Sequence, residues 1–116
     1  MRTRDQSPTL KLMPRDQETD VPRDATLLVT APRPVDQQTA GGLRVSSDDR
    51  DVEGVLDISS DGRILFWRPT RAMDAHAAHQ VTISGVRDER GTLFDDLSSS
   101  FVTGLFSYLD LQMGSE

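Results

Sequence analysis

The chain has 116 residues, room for one domain with a single hydrophobic core. A formal net charge of −6 argues against the basic face that nucleic acid or an anionic membrane surface would require. The absence of cysteine excludes disulfides and thiol nucleophiles and leaves metal ligation to His, Asp and Glu. Neither an apolar signal-peptide core nor a run of about 18 apolar residues appears, so no membrane insertion is expected. If the protein is exported, its signal is expected to lie outside this sequence.

Residues 1–8, MRTRDQSP, are charged and polar and are expected to form a flexible lead. Residues 9–13 alternate Leu10 and Leu12 with polar neighbours, enough for a short first strand. Residues 14–24 read as a loop in which Pro14 and Pro22 hold the residue before each extended. A second strand over 25–31, centred on TLLVT, ends at Pro32 and Pro34, neither of which can donate to a ladder. VDQQTAGG, 35–42, has the composition of one short helical turn before a glycine pair. A short strand over 43–46 runs into the acidic turn 47–51.

From 52 to 58, Val52, Gly54, Leu56 and Ile58 alternate with Glu53, Val55 and Asp57, the period-2 pattern of a half-buried strand. Ser60-Asp61-Gly62 is a tight hairpin signal, and RILFWR, 63–68, is the most apolar strand, halted by Pro69. MDAHAA, within 70–78, is too short for a stable helix and reads as a turn. Val81 and Ile83 then alternate with Thr82 and Ser84 in the strand that begins near Gln80. The chain breaks at Asp88-Glu-Arg-Gly91, where Gly91 suits a positive φ and Asp88 is expected to accept from a backbone amide two residues on. A long acidic connection leads to an extended segment over 100–103 that stops at Gly104. Seven short strands at roughly ten-residue spacing, separated by turn chemistry, predict an all-β antiparallel sandwich in two sheets over 9–104, with 105–116 a tail or the start of a linker.

With the strands placed, the order of motifs resembles the bacterial Ig-like domain of the S-layer-protein (SbsA) type. The matching residues are the opening loop Pro14-Arg-Asp-Gln-Glu-Thr-Asp-Val-Pro22, the strand Thr26-Leu-Leu-Val-Thr30 and the step Pro34-Val-Asp36. They continue through Leu65-Phe-Trp67-Arg-Pro69, Met73 and His79-Gln-Val-Thr-Ile83, and close on Val86-Arg-Asp88-Glu-Arg-Gly91-Thr-Leu93 and Phe101-Val-Thr103-Gly104. The resemblance covers 10–104. It departs at Ala31, where the family usually carries Phe, at His79, where it usually carries Tyr, and at Thr92, where Asn commonly follows the Gly. The resemblance implies an Ig-like sandwich and a non-catalytic structural, adhesion or spacer module. Its partners would be neighbouring domains or another surface protein, in an extracellular or cell-envelope setting in bacteria.

Chemistry-bearing residues are few. His76 and His79 stand three apart, but no third metal ligand has a matching spacing. Asp48, Asp49, Asp51, Asp88, Asp95 and Asp96 are weak calcium candidates, since calcium wants six to eight oxygens and no EF-hand pattern is present. Paired carboxylates alone do not specify glycoside hydrolysis, and there is neither a glycine-rich phosphate loop nor a G-x-S-x-G elbow. No catalytic residue, cofactor or firm metal site is therefore expected. Trp67 reads as a core residue, with a carbohydrate-stacking platform as the alternative. If Leu65 and Trp67 face inward, Ile64 and Phe66 face outward. If Leu27 and Val29 face inward, Leu28 faces outward. In neighbouring strands Leu28, Ile64 and Phe66 form one exposed apolar patch, an interface candidate covered by an adjoining module or by the apolar segment 105–111. The runner-up function is an accessory domain that binds carbohydrate or calcium.

Overall fold

A computed structural model describes residues 9–106. The predicted lead 1–8 and most of the predicted tail, 107–116, lie outside the described residues. Among the described residues, nine strands form two facing sheets. The first sheet has the order β1-β3-β7-β6, built from β1 (Lys11–Met13), β3 (Leu27–Thr30), β7 (Ile64–Pro69) and β6 (Gly54–Ile58). The second has the order β2-β9-β8-β4-β5, built from β2 (Glu18–Val21), β9 (Leu97–Thr103), β8 (Ala78–Ile83), β4 (Leu43–Ser47) and β5 (Arg50–Asp51). Taken in chain order, β1, β3, β6 and β7 make the ABED sheet of an Ig-like sandwich, and β4, β8 and β9 its CFG sheet.

Alternation decides which side chains meet between the sheets. Leu27, Val29, Leu65 and Trp67 project from the first sheet, and Val45, Val81, Ile83 and Phe101 from the second, all of them buried. The indole of Trp67 lies over Gly54, where a Cβ would stand 2.2 Å from the ring, so glycine at 54 makes room for the tryptophan. The sequence-level hairpin forms as expected: Gly62 takes φ 75°, and its amide donates to the Ser59 carbonyl. The helical turn expected over 35–42 is a short 3₁₀ segment, Gln37–Gly42, whose Asp36 side chain accepts from the Gln38 amide.

The described residues form nine strands where the sequence predicts about seven, and the sandwich is not wholly antiparallel, because β2 runs parallel to β9. β2, ETDV, buries only Val21 and needs positive φ at Gln17 and Asp20, so it lacks local strand character. It is held by partners distant in sequence: the Gln17 amide donates to the Ser100 carbonyl, and the Gly104 amide to the Val21 carbonyl. β5 is two exposed polar residues recruited by the turn at Asp48 and Asp49, both with positive φ. β9 also begins at Leu97, three residues before the extended segment expected from sequence.

The strand directions set two poles. β1 enters beside Thr30, its Lys11 partner, so the chain enters at the pole that also carries the 59–63 hairpin and the 84–96 connection. It leaves at the opposite pole, where the Arg23 amide donates to the Phe106 carbonyl and the Met73 amide to the Arg23 carbonyl.

Candidate functional site

At the entry pole the acidic connection is organised by Asp88. The side chain of this buried residue accepts from the amides of Arg90 and Thr92, at 2.9 and 2.8 Å, and from Nε of Arg33 at 2.8 Å. The self-capping expected of Asp88 is therefore present and is doubled by the arginine. Burial pushes the carboxyl up, but the Thr92 amide, Arg33 and the Arg90 amide together bring it below the ordinary Asp value. Arg33 also stands over the Phe94 ring, 5.3 Å from its centroid, tying the connection to the buried Phe94.

The other carboxylate candidates are spread along the chain. Asp48 and Asp49 form the β4–β5 turn, Asp51 ends β5, and Asp95 and Asp96 are exposed before β9. Among the described residues no group of three His, Asp or Glu side chains is placed to hold a metal ion. His76 and His79, three apart in sequence, are separated by environment, His76 exposed on a turn and His79 inside the sandwich.

The parity argument for the outer face of the first sheet holds in register. Leu28 stands opposite Phe66 and Thr30 opposite Ile64, and Leu28, Ile64 and Phe66 are each half-buried. Met13, opposite Leu28 and 51% exposed, extends the row to the sheet edge, and Val55 lies on the same face from β6. The sequence reading missed both, although Met13 has the same parity as Lys11. Of the apolar segment 105–111, Leu105 and Phe106 are exposed at the exit pole, and 107–111 lie outside the described residues. Trp67 is 5% exposed and belongs to the core, which removes it as a stacking platform.

A cavity of about 670 Å³ opens at the exit pole between the β4–β5 hairpin and the β7–β8 connection. Five charged side chains surround it: Arg50, Asp51, Glu53, Arg71 and Asp74. Among the described residues none of the five makes an ion pair. Val52 and Met73 add apolar lining, and His79 also lines it. That ring is 2% exposed, stacked on Phe101 with centroids 5.0 Å apart and planes 2° from parallel. Its Nδ1 lies 3.0 Å from the Ala77 carbonyl, which can only accept, so Nδ1 carries the proton and Nε2 of the neutral ring is an acceptor. Nε2 is enclosed and has no hydrogen-bond partner. Such a group costs about 1–3 kcal/mol. His79 is thus fully buried. The signal was its parity with Val81 and Ile83, both buried.

No family model and no curated protein sequence matches the chain. Solved structures share its fold. The N-terminal part of the bacterial S-layer protein SbsC superposes with a TM-score of 0.60 at 18% identity, over 83% of this chain and 24% of that one. An L,D-transpeptidase from Mycobacterium smegmatis gives 0.61 at 18% identity, over 83% and 39%. L,D-transpeptidase 3 from Mycobacterium tuberculosis gives 0.58 at 21%, over 84% and 38%. This chain therefore spans less than half the length of each of these proteins. At these identities the likeness is one of fold, and the S-layer neighbour is SbsC rather than SbsA.

Proposed function

We propose that the chain is a non-catalytic Ig-like spacer or structural module of a bacterial surface or secreted protein, of the kind that the S-layer (SbsA-type) resemblance implies. The observation that carries this reading is mechanical. The chain enters at one pole and leaves at the other, and the parallel pair β2–β9 lies between these two ends. Tension applied through the ends pulls β2 and β9 in opposite directions along their length. Their cross-strand hydrogen bonds are then loaded together in shear rather than opened one at a time. The strands and their aliphatic core hold the poles apart, and the exposed Met13 with the half-buried Leu28, Ile64 and Phe66 offers a lateral contact for a separate chain alongside. The fold shared with a domain of an S-layer protein supports the surface setting, and the burial of Trp67 favours the spacer over an accessory carbohydrate-binding domain.

Small-angle scattering from three copies joined in series tests the spacer role. An extended particle whose length grows with each added copy is the expected result. Copies folded back on one another through the Leu28–Phe66 face would overturn it.

A further inference from the structure

We propose that the cavity at the exit pole binds a small zwitterionic ligand, a free amino acid or the amino terminus of a short peptide, whose ammonium group donates to Nε2 of His79. This inference is independent of the spacer reading.

Three features of the cavity lead to it. The first is the buried acceptor. With the His79 ring stacked on Phe101 and Nδ1 committed to the Ala77 carbonyl, Nε2 is the enclosed, unpartnered nitrogen of a residue that lines the cavity. A buried nitrogen of this kind accepts from a donor, so the group that meets it must bring an N–H or O–H. The second is the charge around the opening. Asp51, Glu53 and Asp74 oppose Arg50 and Arg71, and among the described residues none pairs with another, which leaves both signs available to a ligand carrying both. The third is the apolar lining. Val52 and the buried, unbranched Met73 supply it, and the adaptable methionine is the side chain that the proposed ligand would displace to reach the enclosed Nε2.

Two other occupants fit less well. A metal ion would use the same neutral tautomer, since a metal-bound histidine commonly donates its other nitrogen to a backbone carbonyl. Among the described residues, however, no three ligands converge. A neutral polyol would satisfy Nε2 through a hydroxyl but would meet no exposed aromatic wall and leave the opposed charges unused.

The test titrates the folded chain with glycylglycine and follows the His79 ring nitrogens by long-range proton–nitrogen correlation NMR. N-acetylglycylglycine, which lacks the ammonium, and glucose serve as comparison probes. A saturable shift of the Nε2 resonance with glycylglycine is expected, at least about tenfold weaker with the acetylated probe. His79→Phe keeps a ring against Phe101 and should abolish binding. Asp74→Asn, at an exposed position, should weaken it about tenfold without touching the core. A His79 shift produced equally by the acetylated probe, a shift with glucose alone, or no His79 shift with any probe would overturn the proposal. The Asp74→Asn arm decides the matter if His79→Phe fails to fold, and unchanged affinity there would count against it.

Discussion

Replacing Gly54 with alanine puts one methyl group against the buried indole of Trp67. The added Cβ would stand 2.2 Å from Cε2 and 2.3 Å from Cζ2 of Trp67. Carbon atoms in favourable contact lie about 3.5–4.0 Å apart, so the indole must retreat by roughly 1.3 Å or the β6–β7 pair must part. Trp67 is 5% exposed and packed between the sheets, which leaves little space for either movement. Overpacking of this kind costs about 1–3 kcal/mol, and the loss of glycine's freedom in the unfolded chain returns about 0.5–1 kcal/mol. A net destabilisation of about 1 kcal/mol is the expected balance, a fall in Tm of roughly 4–5 °C for a chain of this size. Urea unfolding followed by Trp67 fluorescence measures it, and the native emission should shift because the ring has moved. Gly41→Ala is the comparison, since a Cβ there meets nothing within 4 Å. It should stay within about 0.5 kcal/mol of the parent. If Gly54→Ala is equally neutral and leaves the emission unchanged, the packing of Trp67 over Gly54 is wrong.

Asp88 should make stability acid-sensitive. Its carboxyl is held below the ordinary 3.8, so the contribution is fully present above that value and is lost as pH falls through the lowered one. Urea midpoints should therefore fall less between pH 7 and pH 3 in Asp88→Asn than in the parent, and parallel profiles would contradict the role given to Arg33 and the two amides. Phe66→Thr, on the outer face, should cost no more than about 1 kcal/mol, whereas Leu65→Ala, fully buried one residue earlier, should cost about 2–5 kcal/mol. Equal losses in urea unfolding would mean that the outer face is covered. Asp49→Gly relieves a positive φ in the β4–β5 turn and should raise stability by about 0.5–1 kcal/mol. A lower melting temperature would refute the turn assignment.

What could be read from the sequence was whatever rests on neighbours a few residues apart. The alternation in 54–58 and 64–68, the Asp61-Gly62 turn and the amide bond of Asp88 to Arg90 are local, and each is found in the structure. The outward parity of Leu28, Ile64 and Phe66 also follows, once β3 and β7 are taken as neighbours. β2 and β5 were hidden because their strand character comes from pairing across the fold: ETDV and RD have no alternating apolar side. The exit-pole cavity was hidden for the same reason. Its walls come from the β4–β5 hairpin, the segment 70–74 and His79, which only the closing of the two sheets brings together. The depth of His79 was half legible. Alternation with Val81 and Ile83 placed it inward, but its stacking on Phe101 depends on the β8–β9 register.

The measurement that bears most directly on the spacer role is single-molecule pulling through residues 9 and 106. With β2 and β9 parallel and loaded in shear, the domain should give one sharp rupture that scales with the number of copies in series. Pulling through residues 54 and 69 instead, partners at the open end of the β6–β7 pair, opens their cross-strand hydrogen bonds one at a time and should separate the pair at clearly lower force. If the end-to-end direction yields at low force without a distinct rupture, or no more strongly than the hairpin direction, the chain is not built to bear load between its poles and the spacer account fails.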